Sequence, residues 1–103
     1  MEAVVLISDP WEFGTECGVG PFRGRVVERT ESAILIALDS PLLYQSKTLR
    51  GMIAMPRHTR QFQDLGSEAT AANLFLTTSA NVGLLAKPLP ADSIAVVGSL
   101  ELS

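Results

Sequence analysis

Six short apolar runs, separated by turn-forming residues and never by a helix of crossover length, constrain this chain more than any other feature. Parallel neighbours in a sheet need a long crossover, usually a helix, between consecutive strands. With none present, the runs are expected to pair antiparallel through short connections.

The first run is Ala3 to Ile7, rich in β-branched residues and closed by Ser8-Asp9-Pro10. It reads as a strand buried on both faces. A second spans Phe22 to Thr30, with Phe22, Gly24 and Val26 on one face and Arg23, Arg25 and Arg29 on the other. Strand alternation makes the first set core and the second solvent. The third, Ala33 to Leu38, is apolar on both faces and reads as a central strand, joined to the second by a hairpin over roughly 29–32. Asp39-Ser40-Pro41 is expected to stop it, leaving 42–47 as an exposed connection.

Leu49 to Met55 reads as a fourth strand, with Leu49, Gly51, Ile53 and Met55 on one side. Phe62 and Leu65 suit one short helix near 59–66, stopped by Gly66. A fifth strand is expected from about Ala71 to Ser79, a loop over 79–90, and a sixth strand from Ser93 to Leu102. The sixth turns Ile94, Val96, Gly98 and Leu100 to one side. The predicted fold is therefore mainly β. It is a single-domain six-stranded antiparallel barrel or sandwich of SH3-like or OB-like size, closed by pairing of the terminal strands.

Composition narrows the function classes. At 103 residues, the chain is long enough to bury a core without disulfides or metals. Its single Cys cannot form an internal disulfide, and neither a leader nor a spanning run is evident, so a cytoplasmic setting is expected. Charged residues make up only 18%, below the usual share of about a quarter, which hints at surface left for contact. The net charge of −3 disfavours a nucleic-acid binder that works through phosphates.

The stretch from Ser8 to Val26 is the richest in candidate chemistry, holding the only Trp, the only Cys and two of the four Phe. Gly18, Gly20 and Gly24 imitate a phosphate loop, but Pro21 and a strand follow where a helix N-terminus would be required. They fit turns and a bulge better. Trp11, Phe13 and Phe22 can plug the barrel's end or form a contact surface. Asp9, Glu12 and Glu16 lack the spacing of a cation loop. Cys17 and His58 are the only candidates for a thiol–imidazole pair, and two soft ligands fall short of a zinc site. Arg23, Arg25 and Arg29, with Arg57, His58 and Arg60, form two basic clusters poor in stacking aromatics. Edge arginines paired with Glu28, Glu31 or Asp64 explain them without a ligand.

No complete catalytic constellation emerges, and no metal or cofactor is expected. The expected function is a non-catalytic binding or assembly module that contacts protein, either itself or another chain. Its expected contact residues are Trp11, Phe13, Phe22, Arg23, Arg25, Arg57, His58 and Arg60. The alternatives are an RNA- or single-stranded-DNA-binding barrel using the arginine face, and a small Cys/His enzyme. No membrane partner is expected.

Overall fold

The computed structural model describes residues 2–9, 20–30, 33–44, 46–56, 70–86, 88–89 and 93–102. They form six strands: β1 (Glu2–Asp9), β2 (Phe22–Arg29), β3 (Ile34–Tyr44), β4 (Lys47–Pro56), β5 (Thr70–Thr77) and β6 (Ile94–Leu102). Each strand pairs antiparallel with its sequence neighbours, and β6 returns to β1, so the sheet closes. This up-and-down order differs from the Greek-key order of an OB-fold. Closure leaves none of the six strands at a sheet edge, which removes the edge-strand explanation for the β2 arginines. No helix among the described residues is long and apolar enough to cross a membrane. The short helix expected near 59–66 lies outside the described residues.

The interior follows from alternation. Ala3, Val5 and Ile7 of β1 meet Ile34, Ile36, Leu49, Met52, Ala54, Leu74, Leu76, Val96 and Leu100 in one buried cluster. Each such side chain removed from water contributes about 1.5–3 kcal/mol, opposed by chain entropy. The expected inward set on β6 is found. The two-sided burial expected for β1 is not. Leu6 is 46% exposed and Val4 half-buried.

Gly98 shows how tightly the barrel closes. A Cβ there would collide with the Leu6 carbonyl oxygen, so β6 crosses β1 against backbone. A register shift between Ile7 and Asp9 accompanies this crossing.

Two further bulges correct the sequence reading. Between Val26 and Glu28 the β2–β3 register slips, which changes which face each later residue occupies. Arg29 comes to lie opposite Ile34, an interior residue, and so on the other face of β2 from Arg23 and Arg25. Between Ala37 and Leu42 the β3–β4 register slips again. The bulge absorbs Asp39-Ser40-Pro41, so β3 runs on to Tyr44 rather than stopping at Leu38. The stretch expected as an exposed connection is largely a hairpin, with Leu42, Leu43 and Tyr44 paired to Leu49, Thr48 and Lys47. The β2–β3 hairpin is as expected. At its turn the Thr30 N–H donates to the Ala33 carbonyl (2.8 Å), and the Ala33 N–H donates to Thr30 Oγ1 (3.1 Å).

A second apolar layer sits outside the barrel. Leu35 and Ile53 face outward yet are buried, with Val27, Met55 and Phe75 beside them. Their cover is the segment after β5, whose Ala80, Leu84 and Leu85 pack onto them and which holds a 3-10 turn, Leu84–Ala86. This explains why β3 is apolar on both faces: one faces the interior and the other this strap. Gly51 of β4 is the crossing point. A Cβ there would meet the Ser79 carbonyl oxygen at 2.6 Å and Thr77 Oγ1 at 2.7 Å. Thr77 is buried and satisfies its hydroxyl by donating to that same Ser79 carbonyl at 2.6 Å.

Candidate functional site

Beyond the Gly24–Leu38 pair, no further β2–β3 partners are registered, while β3 bulges away from β4. The two strands part at this end of the barrel. A cleft of about 280 Å³ opens there, lined by Pro21, Phe22, Arg23, Asp39, Ser40 and Leu42. The chain enters β2 through Gly20, with φ of 115°, and a cis Gly20–Pro21 peptide.

The lining has two layers. Phe22 and Leu42 are half-buried and rest on the barrel core, forming an apolar floor. Pro21, Arg23, Asp39 and Ser40 are exposed around it. Its described residues therefore offer a guanidinium, a carboxylate and a hydroxyl above an apolar base. Arginine can grip a carboxylate or a carbonyl through its planar fork, and aspartate accepts from N–H or ammonium donors. Among the described residues, no imidazole, thiol or second carboxylate joins them.

The expected contact residues divide accordingly. Phe22 and Arg23 meet in the cleft. Phe22 is neither a full plug nor a free aromatic, since one side packs on the core and the other lines the opening. Arg25 is exposed on the outer wall, cross-strand from Glu2. Trp11, Phe13, Arg57, His58 and Arg60 lie outside the described residues, as do Asp9's side chain, Glu12, Glu16 and Cys17.

Pro21, Asp39, Ser40 and Leu42 were not singled out by sequence. Asp39-Ser40-Pro41 carried a turn signal that is real, but it marks a bulge within a strand. Glu28 was expected beside arginines. Instead its Oε2 accepts the Gly83 N–H and its Oε1 the Leu85 N–H, each at 3.0 Å. Outward-facing Leu35 and Ile53 were the available sign that some segment must cover this wall.

No family model, no curated protein and no solved structure matches this chain.

Proposed function

We propose that this chain is a small non-catalytic binding module that recognises protein ligands through the cleft between β2 and β3. The observation that carries the reading is the meeting of Phe22 and Leu42 with Arg23 and Asp39 around one opening. Apolar floors flanked by a few polar groups are the usual form of a recognition pocket. At about 280 Å³ this one is of a size for a single side chain and its adjoining backbone. The barrel's interior is filled by its own side chains, so recognition falls to the rim. The single cysteine suits a cytoplasmic setting.

The arginines give the RNA or single-stranded-DNA alternative less support. Arg25 lies opposite an acid, and the bulge separates Arg29 from Arg23 and Arg25.

The test is selection from a library of random peptides displayed on phage, with the full chain immobilised. Peptides enriched on the wild-type chain should bind Arg23→Glu and Asp39→Lys at least about tenfold more weakly, the loss expected for one or two charge-assisted contacts. Both residues are exposed, so the variants should keep the wild-type Tm. Absence of enrichment, or equal binding by the reversed-charge variants, overturns the reading. Sedimentation of the same proteins separates self-association from binding to another chain.

A further inference from the structure

We propose that the outer face of β3, β4 and β5 is a second docking groove, occupied at rest by the chain's own residues 80–86. This groove is separate from the rim cleft and does not depend on it.

The groove has a floor and a polar anchor. The floor is Leu35 and Ile53, fully covered, with Phe75 and Met55 at its sides. The anchor is Glu28, whose two carboxylate oxygens each accept a backbone N–H from the strap, one from Gly83 and one from Leu85. Hydrogen bonds to a charged acceptor are stronger than neutral ones, and two on one carboxylate fix direction as well as distance. The strap itself is lightly built. Its bonds within 80–86 are Leu84 N–H to Asn81 carbonyl (3.2 Å) and Ala86 N–H to Gly83 carbonyl (3.1 Å). None of the six strands includes it, and Val82 on it is 76% exposed.

What the strap presents defines what the groove takes. The occupant is a short turn with two adjacent leucines and two backbone N–H groups, two residues apart, free to meet a carboxylate. A partner segment of that chemistry would compete with residues 80–86 for the same floor and the same anchor. Because the strap lies outside the barrel's hydrogen-bonded wall, it can lift while the six strands stay closed. Local openings of this kind draw on the least-bonded segments of a fold.

Hydrogen exchange on the full chain tests the opening, and a peptide tests the groove. In the wild type, the Gly83 and Leu85 amides should exchange through an opening that leaves Met52 and Ile53 protected. Glu28→Ala should speed exchange at Gly83 and Leu85 by about tenfold to a hundredfold, the range for losing such bonds. Glu28→Gln, which keeps one acceptor oxygen, should fall between, and neither variant should change exchange at Met52 or Ile53. A fluorescent synthetic peptide with the sequence of residues 79–86 should then bind a full chain carrying Leu84→Asp and Leu85→Asp. That binding should be saturable and should weaken about tenfold or more when Glu28→Ala is added. If the strap amides exchange only together with Met52 and Ile53, or Glu28→Ala leaves them unchanged, the proposal fails. It fails equally if the peptide ignores a folded double-aspartate variant. Should that variant not fold, the exchange measurements on the two Glu28 variants decide alone.

Discussion

The barrel's outer wall has two halves built on the same alternation but finished differently. On β6, β1 and the start of β2, before its bulge, the outward residues include Ser99, Glu101, Glu2, Val4, Leu6, Arg23 and Arg25, half-buried or exposed. On β3, β4 and β5 they include Leu35, Ile53 and Phe75, and the strap shields them. Alternation decides only which residues face outward. Whether an outward apolar residue is buried is decided by what the chain later folds across it.

The largest expected effect comes from making one substitution on both halves. Ile53→Asp places a charge beneath the strap, at a position 1% exposed and without a partner. It should cost roughly 4 kcal/mol or more, enough to unfold a marginal domain. Leu6→Asp changes an outward residue on the bare half that is 46% exposed. It should move stability by only about 0.5 kcal/mol. Urea denaturation of both variants measures the difference. Similar losses would mean that Leu6 too is covered in solution and that the halves do not differ.

A second comparison sets the interior against the strap. Leu74 is fully buried in the barrel, so Leu74→Ala should cost about 2–5 kcal/mol. Leu85 is half-buried on the outer layer, and Leu85→Ala should cost about 1–2 kcal/mol, in proportion to the smaller area it covers. Equal Tm shifts for the two variants would show the strap to be as integral as the interior.

How far the sequence could be read follows the same division. The number of strands, their antiparallel pairing and the inward faces of β2 and β6 follow from alternation between turn signals, while the choice between barrel and sandwich, decided by closure of β6 on β1, does not. Each rests on a repeated pattern, which a single chain displays. Bulges do not repeat. One extra residue at Val27 swaps every later face of β2, yet leaves no mark in composition, so Arg29 was grouped with Arg23 and Arg25. Asp39-Ser40-Pro41 reads as a stop because such clusters mark turns. The structure places it in the β3–β4 bulge, where no ladder bond is required of it. The cleft depends on that bulge, so only its β2 side, Phe22 and Arg23, was foreseen. Glu28 looks like any surface glutamate until its distant partners, Gly83 and Leu85, are placed.

Gly51 probes the strap from below. Alanine there would put a methyl group against the Ser79 carbonyl and the Thr77 hydroxyl, both closer than a Cβ tolerates. The barrel wall cannot retreat, since Gly51 pairs with Ala37 on one side and Thr77 on the other. The Thr77 hydroxyl must turn away, and Ser79 with the strap that follows it must shift. Gly51→Ala should cost about 1–3 kcal/mol, with faster exchange at the Gly83 and Leu85 amides. A stability loss without a change at those amides would place the strain in β4 rather than the strap.

The smallest effect belongs to the bare half, and it tests whether that surface contributes to the fold at all. Arg25 and Glu2 lie directly cross-strand, and both are exposed. An exposed pair in water gains little, because solvent screens the attraction and two long side chains must be held in place. A double-mutant cycle over Arg25→Ala and Glu2→Ala should give a coupling of a few tenths of a kcal/mol, shrinking further in high salt. A coupling above about 1 kcal/mol would mean that charges tie β1 to β2 as the strap ties β3 to β5. A small one leaves β1 and β2 joined by backbone bonds and the interior, with their outer side chains free to vary without disturbing closure.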